Sequence, residues 1–256
     1  MTSLPKVSVI FVTYNRLVTL IPTVESFLNN TEYPREKLEL IVTDDASPVE
    51  VQNEIRSMPF DVFCLNSKNR GLGANVNNGL SSASGEYVLQ IQDDWRCLGP
   101  GNYLKRAIDT LEAFSNIGMI ILKPHTNRLK LLHKKVSFMQ DEFFVFENRP
   151  HEEITKVGEC AYTDWPHLKR KGFILDVGMY LEGKPMWDVE LDYSQRINNQ
   201  NTWKIADCEN LYIFDHIGED YSYNWPWKKR VHYLIEGIPG GSNALNLYKK
   251  LKRYLV

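Results

Sequence analysis

The sequence predicts an α/β fold built on a mostly parallel central sheet with helices on both faces. Three observations predict it. Continuous runs of β-branched and aromatic residues occur at 7–14, 38–45 and 86–94. Stretches with apolar residues at three- and four-residue spacing lie between them. Each run ends in a cluster of polar residues. A chain of 256 residues is long enough to bury a sizeable core in one such domain.

The elements follow in order. VSVIFVTY (7–14) is the first strand, and Leu17, Leu20, Ile21, Val24, Phe27 and Leu28 mark the apolar stripe of the helix after it. LELIVTDD (38–45) is the second strand, followed by a shorter stripe of Val51, Ile55 and Met58. VFCLNS (62–67) is a weaker third strand, and Leu72, Val76 and Leu80 mark a third helix. EYVLQIQDD (86–94) is the fourth strand. Strands buried on both faces read as near-continuous apolar runs, and strand–helix alternation gives a parallel sheet.

Right-handed crossovers place the C-terminal ends of parallel strands along one edge, where open α/β sheets bind their ligands. Four polar clusters are expected there: Thr13-Tyr14-Asn15-Arg16, Asp44-Asp45-Ala46-Ser47, the loop from Asn66 to Gly73, and Asp93-Asp94-Trp95. Any one of them reads as a turn or a cap. Their coincidence at one edge points to a ligand site. Two adjacent carboxylates suit a divalent cation and a phosphate-bearing ligand, because hard cations take oxygen ligands. TYNR after the first strand lacks both the GxGxxG of a dinucleotide site and the GxxxxGK[ST] of a P-loop, which argues against nicotinamide enzymes and P-loop phosphotransferases. Trp95 reads as packing.

The net charge of −2 gives no general attraction to nucleic acid or anionic membranes. Cys64, Cys97, Cys160 and Cys208 form no CxxC pair, so zinc is not expected and reduced cytoplasmic thiols are. MTSLPKVSVIFV has no positive segment before an apolar run too short to span a membrane, so no secretion signal is expected. His125, His133, His151, His167 and His232 show no metal-ligand spacing. Residues 125–160 read as an insert of two antiparallel strands, and Trp165 in the segment 162–168 as a packing or sugar-stacking ring. From Trp227 onward, Lys228, Lys229, Arg230, Lys249, Lys250, Lys252 and Arg253 alternate with aromatic and aliphatic residues. This tail is either a packed helix with a solvated basic face or a contact for a membrane surface or partner.

VSVIFVTYNR, LELIVTDDASP and NRGLGANVNNGLSSASGEYVLQIQDD, in this order and spacing, resemble the family 2 glycosyltransferases of GT-A fold. The likeness continues more loosely through FILDVGMYLEG, VELDYSQR and FDHIGED, covering about residues 5–220. It implies a Rossmann-like sheet, a nucleotide-sugar-binding half at 1–95 and an acceptor and catalytic-base half of the same domain at 96–220; the basic and aromatic tail at 221–256 lies outside it. It implies sugar transfer from a nucleotide diphosphate donor, UDP-linked by preference with dTDP and GDP open, to a glycan, lipid-linked or other hydroxyl acceptor. It also implies Mn²⁺ or Mg²⁺, an inverting displacement, and a cytoplasmic or membrane-peripheral setting in polysaccharide assembly, with no nucleic acid partner. By the same resemblance, Thr13, Tyr14, Asn15, Arg16, Asp45, Arg70, Gly71, Asn75 and Asp93 form the donor set. Within it Tyr14 flanks the base and Asp45 accepts its N–H. Asp94, with Asp93 and His216, would hold the metal. Alignment on Asp192 and Arg196 puts the catalytic base at Glu190, where the family more often has Asp; Asp188 is the alternative. A nucleotidyltransferase and a non-catalytic glycan-binding module are the rival readings.

Overall fold

The structure is a computed structural model that describes residues 4–124, 130–150, 153–156, 159–200, 202–208 and 212–218. The chain divides into two compact units, Met1–Asp215 and His216–Val256. The basic tail at 221–256, and His125, His151 and His232, lie outside the described residues.

The first unit opens with β1 (Val7–Thr13), α1 (Leu17–Asn30), β2 (Leu38–Asp44), α2 (Val49–Arg56), β3 (Val62–Leu65), α3 (Leu72–Ser82) and β4 (Tyr87–Gln92). It continues with β5 (Trp95–Cys97), α4 (Tyr103–Ala113), β6 (Ile117–Ile121), β7 (His133–Phe138) and β8 (Asp141–Phe146). Last come β9 (His167–Arg170), α5 (Lys171–Val177), α6 (Met186–Asn199), β10 (Lys204–Cys208) and β11 (Phe214–His216), whose final residue is the first of the second unit. Among the described residues, nine strands form one sheet in the order β3-β2-β1-β4-β9-β6-β10-β8-β7. The strands β3, β2, β1 and β4 are parallel. β9 runs antiparallel to both β4 and β6. The expected antiparallel pair is the β7–β8 hairpin. It extends the far edge of the central sheet through β10 instead of standing apart as an insert.

Alternation along β1 explains both layers. Val7, Val9 and Phe11 face the layer that holds Leu20, Val24 and Phe27 of α1 and Leu104 and Ile108 of α4. Ile10 and Val12 face α3, α5 and α6 through Val76, Leu80, Phe173, Val189, Tyr193 and Ile197. Each fully buried aliphatic or Phe side chain contributes roughly 1.5–3 kcal/mol. Ile21 and Leu28, read from spacing as part of α1's apolar stripe, are exposed, while Thr19 and Thr23 are buried. The threonines are spent on hydrogen bonds: Thr19 donates to the Arg16 carbonyl and Thr23 to the Asp93 carbonyl. β3 is weak in sequence because it is the sheet edge and only partly buried.

The strand order reverses between β1 and β4, and a crevice at that reversal is where open α/β sheets bind ligands. Register brings the polar ends together there. Thr13 lies opposite Asp44, and Val12 opposite Gln92. Backbone pairing runs one step further: Asp45 N–H donates to the Thr13 carbonyl at 3.2 Å, and Asp93 N–H to the Val12 carbonyl at 3.0 Å.

Candidate active site

Thr13 ends β1 with its hydroxyl donating to Asp93 Oδ2 at 2.7 Å. Arg16, just before α1, projects back between the two acids. Its Nη1 lies 3.1 Å from Asp93 Oδ1 and 2.8 Å from Asp94 Oδ2. Both carboxylates are buried. Burial pushes the Asp93 carboxyl up to about 7; Arg16 opposes this, and the charge of Asp94 adds to it. A guanidinium therefore sits where two acids would otherwise repel. Arg16, expected on the donor, is held by the acidic pair.

Tyr14 and Asn15 are exposed beside this cluster. Asn15 takes a left-handed φ of 51°, which its short polar side chain tolerates, and its N–H donates to Ser47 Oγ at 2.7 Å. Asp44 is fully buried and structural: it accepts from Ser47 N–H and Oγ and from Gln52 Nε2.

Asp45 holds the glycine-rich loop. Its Oδ1 accepts Arg70 N–H at 2.8 Å and Asn66 Nδ2 at 3.3 Å, and its Oδ2 accepts Gly71 N–H at 2.8 Å. Each carboxylate oxygen has two acceptor sites, so Oδ2 has room for one further N–H. Gly71 precedes α3 at φ 85° and ψ 171°, a conformation essentially reserved for glycine. Gly73 lets α3 approach the segment after α5: a Cβ there would lie 2.0 Å from the Leu181 carbonyl oxygen. The Arg70 side chain pairs with Glu182 on that same segment. Asn75 is buried, with Nδ2 donating to the Thr13 and Thr43 carbonyls and Oδ1 accepting from Thr43 Oγ1. Both amide hydrogens are thus spent on tying β1 to β2, and neither is left for a ligand.

The two candidate bases separate clearly. Asp188 is exposed in the first turn of α6, where a carboxylate suits the positive end of the helix. Glu190 is buried and its Oε1 accepts Asp164 N–H at 3.2 Å. Burial pushes Glu190 up to about 7, with the negative charge of Asp164 adding to the shift. Asp192 is bound to Arg196, which also donates to the Val177 carbonyl. Asp164 was not foreseen as a site residue; its only signal was its place in TDWP. Lys169 was not foreseen either, because HLKR has too many polar residues to read as a central strand.

Trp95 packs as expected. Lys123, just past β6, holds its ammonium 4.9 Å from the Trp95 ring, 5.1 Å from Trp165 and 5.3 Å from Tyr212. Trp165 therefore already serves a cation. Ile213, Phe214 and Asp215 return beside β5: Leu98 N–H donates to the Ile213 carbonyl at 2.7 Å and Arg96 pairs with Asp215 at 2.9 Å. His216 is half-buried and is the first residue of the second unit. Among the described residues, no three His, Cys, Asp or Glu side chains form a metal-ligand group, and no helix is long and apolar enough to cross a membrane.

A doubly covered α/β sheet with an acidic pair at its reversal point and a glycine-rich loop nearby defines the open α/β class of domain, whose ligands bind at that point. Residues 8–161 match the family described as glycosyl transferase family 2, and the chain belongs to that family. It is 36% identical over 235 residues to the uncharacterized glycosyltransferase YwdF of Bacillus subtilis, covering 90% of this chain and 81% of that one. It is 33% identical over 120 residues to the GalNAc(5)-diNAcBac-PP-undecaprenol beta-1,3-glucosyltransferase of Campylobacter jejuni, covering 45% of this chain and 36% of that one. Among solved structures, the mannosyltransferase PcManGT of Pyrobaculum calidifontis, in complex with GDP-Man and Mn2+, superposes with a TM-score of 0.60 at 16% identity. That match covers 91% of this chain and 63% of that one. S. aureus TarS 1–349, in complex with UDP-GlcNAc, gives a TM-score of 0.57 at 17% identity, covering 90% of this chain and 64% of TarS 1–349. The structural likeness shows the GT-A fold. The chain spans about a third of the Campylobacter relative and under two thirds of either solved structure.

Proposed function

We propose that this protein transfers a sugar from a nucleotide diphosphate donor, UDP-linked by preference, to an acceptor hydroxyl in glycoconjugate or polysaccharide assembly. The observation that carries the reading is the acidic pair Asp93–Asp94 at the β1/β4 reversal, next to Thr13 and already gathered around a cation. Tyr14 would flank the base, and the remaining acceptor site of Asp45 Oδ2 would take its N–H. Gly71 and the Arg70 loop would line the donor, with Asn75 supporting the crevice floor.

The pair fits Mn²⁺ or Mg²⁺, which bind through one or two carboxylates together with substrate phosphates. Asp94 and Asp93 would hold it, and Arg16 would be released toward the phosphates. When bound, such an ion offsets the negative charge that develops on a departing diphosphate.

The chain's own base would be Glu190. Its carboxylate takes the acceptor O–H proton as that oxygen bonds to the anomeric carbon. The bond from that carbon to the phosphate oxygen breaks, and the electron pair leaves with the nucleoside diphosphate. A single displacement inverts the anomeric centre. A lipid-linked acceptor is favoured by the Campylobacter relative's name, and a cytoplasmic, membrane-peripheral setting suits such an acceptor.

Thermal shifts with UDP, GDP, dTDP and CDP, each with and without Mn²⁺, test the donor. Ligand at 100 times its Kd adds about 2.7 kcal/mol. For a domain of this size that is roughly 5–10 °C. A Mn²⁺-dependent shift for one nucleotide, lost in Asp94→Asn, is expected. No shift with any nucleotide would overturn the donor site. Glu190→Gln should abolish transfer and keep the shift.

A further inference from the structure

A buried polar chain runs from the middle of the sheet to Glu190. Lys169 lies on β9 and is fully buried. Its Nζ donates to Gln90 Oε1 and to the Tyr180 hydroxyl, both at 3.0 Å, and lies 5.0 Å above the Tyr180 ring. The Tyr180 and Tyr162 hydroxyls are 2.8 Å apart, and Tyr162 donates to Asp164 Oδ1. Asp164 Oδ2 is buried and has no hydrogen-bond partner among the described residues. Asp164 N–H closes the chain on Glu190 Oε1.

Burying an ammonium and a carboxylate is costly unless each is compensated. Lys169 makes no direct ion pair among the described residues; its compensation toward Asp164 passes through two tyrosine hydroxyls. The one group beyond Asp164 that this arrangement can influence at the site is Glu190. We propose that Asp164 is a positioning residue for Glu190: its backbone N–H orients the carboxylate, and its own charge, held by Tyr162 and Lys169, makes Glu190 a stronger base. The inference rests on Glu190 as the base.

The groups around this pair agree. Burial raises Asp164, while the Tyr162 hydroxyl and Lys169 pull it back. Burial lowers Lys169 to about 7, with Asp164 opposing. Cys160 faces Glu190 from the preceding loop and is itself raised by burial, so it stays a neutral thiol. His167 on β9 is held neutral by burial and by Lys169. Tyr180 and Tyr193 are raised and uncharged. On α6 itself Asp188 is exposed. Asp164 is thus the charge that acts on Glu190.

The test is carbon-13 NMR of glutamate-labelled protein, with the Glu190 signal assigned by its absence in Glu190→Gln. The expected midpoint is about 7 in the parent. In Asp164→Asn it should fall by about one unit or more. Tyr162→Phe, which removes only a hydroxyl, should shift it the same way by less, and provides the reading if Asp164→Asn does not fold. An unmoved midpoint in a folded variant overturns the inference. Turnover of UDP-sugar by Glu190→Gln tests the base separately: retained turnover would remove Glu190 from that role whatever its midpoint.

Discussion

Lys169→Met should change how stability depends on pH, because burial disfavours the charged amine. The amine titrates near 7 in the folded protein against 10.5 for an unperturbed lysine. The folded value is depressed, so between about pH 7 and 10.5 the unfolded chain holds more protons, and stability rises with pH across that window. At pH 7 the buried amine costs the folded state about 4 kcal/mol; at pH 9.5 the cost is about 1 kcal/mol. Methionine has no such titration. It leaves Gln90 Oε1 and the Tyr180 hydroxyl without the amine, at about 1–3 kcal/mol each, a loss that does not depend on pH in this range. The stability of the parent relative to Lys169→Met should therefore improve by about 3 kcal/mol from pH 7 to 9.5. Urea denaturation of both proteins at both pH values measures it, since groups away from Lys169 cancel. A difference that stays the same at the two pH values would refute the burial argument.

Asn75→Ala should lower stability by roughly 2–4 kcal/mol in urea titration, because it strands the Thr13 and Thr43 carbonyls at the ends of β1 and β2. Gly73→Ala drives a Cβ against the Leu181 backbone, and overpacking of this kind costs about 1–3 kcal/mol or more; the melting temperature should fall. Arg16→Gln removes the guanidinium from between Asp93 and Asp94. Electron paramagnetic resonance without nucleotide should then show tighter Mn²⁺ binding than in the parent, and unchanged or weaker binding would mean that Arg16 does not compete for the acids.

Burial explains what the residues revealed and what they concealed. β1, β2 and β4 were legible because both faces are covered, which forces an unbroken apolar run. β9 was not: His167, Lys169 and Arg170 are three of its four residues, and what keeps Lys169 inside is tertiary, a tyrosine hydroxyl and a neighbouring glutamine, while His167 is held at the Trp165 carbonyl. The position of the acidic pair followed from strand topology, yet the cation held by it did not, since no local pattern tells that Arg16 turns back across 78 residues to reach Asp94. Asp188 and Glu190 look equivalent in a string of letters. Two positions along a helix turn one outward and the other onto Asp164, which only the packed helix reveals.

The placement of β9 has a consequence for how the chain is made. Residues 167–170 fill the gap between β4 and β6, so β4 has neighbours on both sides only after about 75 further residues have followed it out of the ribosome. Until then its backbone offers a row of unmet donors and acceptors, the kind of edge that recruits strands from other chains. The match to the family's model ends at residue 161, just short of that strand. A protein shortened to the matched stretch would keep the acidic pair and lose the strand that closes the sheet beside it, and should come out of the cell as aggregate.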